Sequence, residues 1–160
     1  MLTVGTDSYI TVGYADEYIG EHYRQSSLHR ERWEALGEEE RESFLKAACE
    51  ELERIKWHGR AVSKDQPLSF PRFPYQDRTA EEAPRRIKNA QAELALWLSD
   101  EQGQEDLRQR EQIRLQGIKS VNLGSLAMTF ADGAKSELAL VCPAALRLIA
   151  PYLNGGYETE

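Results

Sequence analysis

Residues of the types that support catalysis or metal binding are few and scattered. The three histidines, His22, His29 and His58, do not stand near cysteines or carboxylates at the spacings that zinc sites use. Cys49 and Cys142 each lie in an apolar stretch, so we expect small buried side chains with reduced thiols. No glycine-rich phosphate loop and no GxSxG or HExxH motif occurs in the sequence. The sequence therefore predicts no enzyme, no metal and no cofactor.

A second group of residues has the types that bind single-stranded nucleic acid. Aromatic side chains alternate with arginines in this group, which comprises Phe70, Arg72, Phe73, Tyr75 and Arg78. Bases stack on aromatic rings, and cations neutralise the phosphates between them. The net charge of -7 argues in the other direction, because the molecule as a whole does not attract polyanions. We interpret the arginines near the third helix as a solvated helix start paired with neighbouring glutamates.

Composition indicates one soluble globular domain. The chain has 160 residues, of which 41% are apolar and 29% charged, and no run approaches the roughly 18 apolar residues of a membrane span. We expect a single domain over residues 1–160, with no membrane role. The first residues lack both a basic start and an apolar signal core, so we expect the chain to stay in the cytoplasm where it is made.

The elements that would position these residues are mostly helices. Thr11 can cap a first amphipathic helix, Glu38–Glu40 suit the start of another, and Pro84 suits the first turn of a third. Trp33 and Leu36 precede Gly37, which we expect to end a helix. Apolar residues at spacings of three and four predict buried helix faces that include Phe44, Leu52 and Leu94, against which we expect Trp57 and Phe70 to pack as part of the same core.

Between two of these helices lies a proline-rich stretch, residues 57–74, which we call the strap. Pro67, Pro71 and Pro74 each favour extended geometry in the preceding residue, so we expect Leu68–Phe73 to run in a polyproline-like conformation. The aromatic residues interleaved with these prolines predict that the strap folds back over the helices.

In the last third of the chain, the spacing of apolar residues changes from the helical period to alternation at every second residue. Alternation from Lys119 to Phe130 predicts a two-stranded ribbon, and Pro143 opens a final helix that reaches Leu153. Residues 100–112 are polar and are expected to form a mobile loop or a frayed helical extension, and residues 154–160 a short tail. The predicted fold class is mainly α: a small bundle of four to five helices with a proline-rich strap and one β-hairpin or extended ribbon.

The order of these features resembles the small head–tail connector proteins of tailed bacteriophages, part of which is described as DnaT-like, that is, similar to a primosomal single-strand DNA-binding protein. The resemblance covers most of the chain. It rests on Tyr9-Ile10-Thr11 with Ala15 and Tyr18, Trp33 with Leu36, Ala47-Ala48 with Leu52, Trp57-x-Gly59, Gln66-Pro67-Leu68-x-Phe70-Pro71-Arg72, Ala90 with Glu93-Leu94-Ala95, Gly117-Ile118-Lys119-Ser120, Leu123-Gly124, and Phe130.

This resemblance implies a structural virion protein without enzymatic activity. It implies an adaptor at the head–tail interface that forms a homo-oligomeric ring, a dodecamer, under the portal protein. The ring would complete the filled head and dock a stopper or tail-completion protein, while genomic DNA passes through without sequence-specific binding. A negative charge suits such a conduit.

Two interfaces follow as hypotheses from this picture. The unpaired edge of a ribbon is stabilised when a neighbouring subunit covers it, so the predicted subunit interface comprises Lys119, Val121, Leu123, Leu126, Met128 and Phe130. For Leu126, Met128 and Phe130, packing in the core of the same subunit is an equal alternative. The predicted contact with the portal or a neighbouring ring comprises Leu146, Ile149, Tyr152, Leu153 and Tyr157. The alternative function is a single-stranded DNA-binding accessory protein of phage replication, which would use the aromatic and arginine group described above.

Overall fold

The computed structural model describes residues 1–75, 82–100, 105, 108, 109, 112, 120–123, 126–129 and 142–153, with strand pairing alone for 120–123 and 126–129. Five helices have described bounds: α1 Val12–His22, α2 Leu28–Ala35, α3 Glu38–Glu53, α4 Arg85–Leu98 and α5 Pro143–Ile149, which continues as a 3-10 turn over Ala150–Tyr152. Two short antiparallel ribbons accompany them: β1 Arg60–Ala61 with β2 Arg72–Phe73, and β3 Ser120–Leu123 with β4 Leu126–Thr129. The mainly helical fold with a hairpin near the C-terminal third is confirmed.

Helix α4 is the centre of the molecule. Helices α1, α2, α3 and α5 all pack against it. Its buried residues are Ile87, Ala90, Gln91, Ala92, Glu93, Leu94, Ala95, Leu96 and Leu98. A helix that is apolar on most of its circumference requires neighbours on most sides, and the small alanines let those neighbours approach closely. Tyr18 and Tyr23 donate hydrogen bonds to the buried Glu93 carboxylate at 2.8 Å and 2.5 Å and so tie α1 to α4.

The helix starts follow local sequence signals. Thr11 caps α1, its side chain accepting from the Tyr14 N–H at 3.0 Å. Gly37 follows the end of α2, as predicted, and is also the N-cap of α3: α2 ends at Ala35 with Leu36 as its C-cap, and the Gly37 N–H donates to Glu40 at 2.9 Å. Because α2 and α3 are so close in sequence, one glycine lies at the end of the first and the start of the second.

The predicted core residues are placed as follows. Trp57, Leu52, Phe70 and Leu94 are buried, whereas Phe44 is half-buried at the margin. The reason is the helical period of α3, since the stripe that faces the core comprises Leu45, Ala48, Cys49 and Leu52. Phe44 lies beside that stripe and packs against it from the edge.

The strap is not an extended polyproline segment, so that part of the prediction is wrong. Its end returns to pair with its start, Arg60 opposite Phe73 and Ala61 opposite Arg72, and the Phe70–Pro71 and Phe73–Pro74 peptide bonds are cis. The predicted fold-back over the helices is observed. The Phe70 ring is buried edge-on against Trp57, with ring centroids 4.9 Å apart.

The last third of the chain contains the predicted ribbon and the predicted helix. Val121 pairs with Met128 and Leu123 with Leu126, while Lys119, Phe130 and Tyr157 lie outside the described residues. In the polar segment, the described residues Glu105, Arg108, Gln109 and Gln112 are helical and exposed. In the described ranges, no helix combines the length and apolarity that crossing a bilayer would require.

The contact surface predicted on the final helix is largely internal. Ile149 is fully buried and Tyr152 is 9% exposed, while Leu146 and Leu153 are half-buried. The reason is that α5 packs directly on α4, so its apolar face is covered within the subunit. Ile149 and Tyr152 are therefore core residues and offer little surface to a portal or a neighbouring ring.

Candidate nucleic-acid interface

Exposed basic residues alternate with buried apolar residues just after α3. Arg54, Lys56, His58 and Arg60 are exposed. Between them, Ile55 is 6% exposed and Trp57 is 5% exposed. Trp57 forms an isolated antiparallel bridge with Leu153, and the His58 N–H donates to the Tyr152 carbonyl at 2.9 Å. The apolar side chains of this segment are therefore buried and its basic side chains point to solvent, while its backbone is attached to the end of α5.

We call the surface formed by Lys56, His58, Arg60, Phe73 and Tyr75 the basic edge. Residues 54–64 contain four cations (Arg54, Lys56, Arg60 and Lys64) and no Asp or Glu, a charge of +4 with His58 neutral. Residues 31–53 contain nine glutamates and three cations, a charge of -6. The net charge of -7 thus conceals a separation of charge, with a local positive segment next to an acidic one.

Aromatic rings lie beside these cations. The Arg60 guanidinium is 5.2 Å from the centroid of the half-buried Phe73 ring, within cation–π range. Tyr75 shares a hydrogen bond of 2.8 Å with His58 Nδ1, and its ring meets that of Tyr152 at a centroid distance of 4.8 Å. Half-buried rings next to solvated cations form the combination that lets bases stack while phosphates are neutralised.

Arg72 supports the basic edge from within. Its guanidinium donates to the carbonyls of Gly59 at 2.8 Å, His58 at 3.1 Å and Ser69 at 3.2 Å, and reaches that of Trp57 at 3.5 Å. Arginine suits this role because its planar fork presents several donors in a fixed geometry. Arg72 therefore holds the backbone of the edge and is not a free cation for phosphate.

Gly59 is required where the edge turns. Its φ is +83°, and a Cβ built there would lie 1.9 Å from the Phe73 carbonyl oxygen. Only glycine permits both this backbone conformation and this close approach. The turn brings Arg60 next to Phe73 and so joins the two halves of the basic edge.

The described residues give little support for metal binding or for reactive side chains. Within those residues, no group of three or more His, Cys, Asp and Glu side chains is placed to share a metal ion. Burial raises the pKa of Cys49 to about 12 and that of Cys142 to about 11, which keeps both thiols protonated and unreactive. Burial, then the hydrogen bond to Glu93, raises the pKa of Tyr18 and Tyr23, so both stay donors.

The chain was also compared with known protein families. A family model described as "Putative DnaT-like ssDNA binding protein" matches residues 2–160. This chain belongs to that DnaT-like family. No curated protein matches it, and no solved structure matches it.

Membership in the DnaT-like family corrects the connector interpretation. The matching family is defined by likeness to a single-strand DNA-binding protein, not by head–tail connection. The predicted adaptor function and the portal, stopper and ring partners are therefore wrong, as is the expectation that DNA only passes through. Of the two functions weighed from the sequence, the family description agrees with the alternative.

The structure also revises which residues of this DnaT-like protein can meet DNA. Phe70 is 4% exposed and cannot stack on a base, Arg72 is occupied by carbonyls, and Arg78 lies outside the described residues. Phe73 and Tyr75 stay at the surface, half-buried. Sequence reasoning missed Lys56, His58 and Arg60, although a signal existed: basic residues at every second position from Arg54 to Arg60, with apolar residues at Ile55 and Trp57.

Proposed function

We propose that this protein binds single-stranded DNA through the basic edge, without catalysing a reaction on it. The observation that carries the proposal is the placement of Arg60 over Phe73, beside His58 and Tyr75, on a positive segment of an acidic molecule. The family description supports the same function. Stacking platforms beside cations bind single strands with little sequence preference.

The structure allows an estimate of how strongly salt should weaken this binding. Lys56, Arg60 and Lys64 are exposed, and none forms an ion pair with a described residue. Each phosphate neutralised on a single strand contributes about -0.7 to the slope of log K against log salt concentration. Three contacts predict a slope of about -2, which is shallow and is typical of a small interface.

The experiment measures the affinity of the purified full chain for a fluorescein-labelled oligothymidine by anisotropy, at several salt concentrations. The variants Lys56→Gln and Arg60→Gln should each weaken binding at low salt and reduce the slope by about 0.7. Arg24→Gln is the matched control, because Arg24 is also an exposed arginine but lies between α1 and α2. It should leave both the affinity and the slope unchanged.

Three results would contradict the proposal. The first is no anisotropy change at low salt, and the second is equal weakening by Arg24→Gln and Arg60→Gln, which would indicate non-specific attraction. The third is tighter binding of a duplex of the same sequence than of the single strand, since a double helix hides its base faces from stacking.

Two expectations from the sequence stay predictions alongside this proposal. One is the absence of enzymatic activity. The other is that the chain stays in the cytoplasm where it is made. The single-domain organisation over residues 1–160 is likewise a prediction.

A further inference from the structure

A second surface with the chemistry to meet a nucleotide lies at the other end of α5. A cavity of about 200 Å³ opens between α2, α4 and α5. Its walls include the aromatic residues Tyr23, His29 and Trp97, and Arg147 stands at its rim. Arg147 and His29 are exposed, whereas Tyr23 and Trp97 are half-buried. None of these residues belongs to the basic edge.

The lining of this cavity includes a carboxylate. Glu93 is 7% exposed and accepts hydrogen bonds from Tyr18 and Tyr23, but no described cation forms an ion pair with it. Each carboxylate oxygen can accept more than one hydrogen bond, so Glu93 retains capacity for a further donor. A neutral donor suits this position better than a second anion, because Glu93 is itself negative.

Helix α5 and the turn that follows it connect the cavity to the basic edge, so the helix length sets the distance between the two surfaces. Arg86 donates to the carbonyls of Arg147 at 2.8 Å and Leu148 at 3.0 Å, and Tyr152 meets Tyr75 of the basic edge. Tyr152 follows Arg147 by five positions, roughly 8 Å along a helix axis. At about 3.4 Å per stacked nucleotide, this corresponds to two or three nucleotides.

We propose that this cavity is a nucleobase site for a base that carries an exocyclic amino group. The proposal rests on the proposed function, because the strand held by the basic edge supplies the base. Trp97 and His29 provide stacking surfaces, Arg147 meets a flanking phosphate, and Glu93 accepts from the amino group. A carboxylate is a natural acceptor for the amino group of cytosine, and thymine has no such donor.

The first test uses tryptophan fluorescence. The chain has three tryptophans, of which Trp33 is 1% exposed, Trp57 is 5% exposed and Trp97 is half-buried at the cavity. Oligodeoxycytidine of roughly 12 nucleotides, a length that single-strand binding modules cover, should quench the emission as it binds. Trp97→Phe should remove the quenching while anisotropy still reports binding. Lys56→Gln should weaken the affinity but leave the quenching at saturation intact.

The second test compares oligodeoxycytidine with oligothymidine of the same length at neutral pH. Equal phosphate numbers cancel the electrostatic contribution, so a ratio of affinities reports the base contact. We expect cytosine to be preferred roughly tenfold, and Glu93→Gln to reduce the preference to near one. A variant that merely perturbs packing would weaken both ligands together and leave the ratio unchanged.

The outcomes separate this inference from the proposed function. Binding by anisotropy with no quenching, or with equal affinity for the two oligonucleotides, would overturn the nucleobase site and leave single-strand binding intact. Absence of binding to both oligonucleotides at low salt would instead refute the proposed function, and the nucleobase site with it.

Discussion

The guanidinium of Arg72 donates to the carbonyl oxygen of Gly59 at 2.8 Å, and so fixes the turn on which Arg60 reaches Phe73. This one contact explains why a cation in the strap serves the basic edge without belonging to it. Residues 57–59 run along the basic edge after the end of α3, and their three backbone carbonyls converge on this one side chain. The backbone of the basic edge is therefore held in place before a DNA strand binds.

Replacement of Arg72 should reveal this supporting role. We expect Arg72→Gln to lower the free energy of unfolding by about 2 kcal/mol, because several hydrogen bonds from a charged donor are lost. Arg72→Lys should recover only part of this loss, since an ammonium group lacks the planar fork. Urea denaturation measures the effect. Unchanged stability together with a shallower salt slope would show that Arg72 contacts phosphate instead.

The turn at Gly59 can be tested against a matched glycine. Gly59→Ala and Gly5→Ala both place a side chain at positive φ, +83° and +85°, but no atom of the described residues lies within 4 Å of a Cβ at Gly5. Gly5→Ala should cost about 1 kcal/mol, the backbone penalty alone. Gly59→Ala should cost clearly more and weaken DNA binding, because the β1–β2 pairing must open. Equal costs in thermal denaturation would argue against the close approach to Phe73.

The burial of the core residues predicts how much each substitution destabilises the fold. Trp57→Ala should destabilise the fold by roughly 3 to 5 kcal/mol, since the ring is buried against Phe70 and its N–H donates to the Leu52 carbonyl at 3.0 Å. Phe44→Ala should cost distinctly less, because Phe44 is half-buried at the edge of its helix face. Equilibrium unfolding in urea gives both values. The reverse order would place Phe44, and not Trp57, in the core.

The buried thiols predict how stability depends on alkaline pH. The pKa of Cys49 is raised to about 12 and that of Cys142 to about 11, from 9.0 in the unfolded chain, mainly by burial. The folded state thus keeps protons that the unfolded state releases, so stability is full below pH 9 and falls between about 9 and 12. Cys49→Ala should make that decline shallower than in the wild type, as measured by denaturation at several pH values. A decline of the same steepness would show that Cys49 ionises freely.

The fold was predictable where the signals are local. Thr11 and Pro143 mark helix starts through their own hydroxyl or ring geometry, and the apolar period of α4 depends on nothing outside the helix. These features were predicted correctly, whereas Pro84 lies one residue before its predicted place, as the N-cap of α4. The mainly helical class followed from them.

The candidate site was harder to predict because it depends on contacts between distant residues. Nothing in residues 54–60 shows that Trp57 will bridge to Leu153, or that Arg72 will turn inward to three consecutive carbonyls. The apolar face of α5 could have faced a partner or α4, and its burial decides for α4. Without the fold, Phe70 and Arg72 looked as suitable for DNA as Phe73 and Tyr75.

The most direct measurement is photocrosslinking of the full chain to a single-stranded oligothymidine, followed by tryptic digestion and mass spectrometry. Cleavage after Arg72 and Arg78 yields the peptide FPYQDR, which contains both aromatic residues of the basic edge, Phe73 and Tyr75. If the strand lies on the basic edge, this peptide carries the crosslinked nucleotide, and Arg60→Gln reduces its yield while Arg24→Gln does not. Crosslinks confined to peptides from α1, α2 or α3, with residues 73–78 unmodified, would contradict single-strand binding at the basic edge.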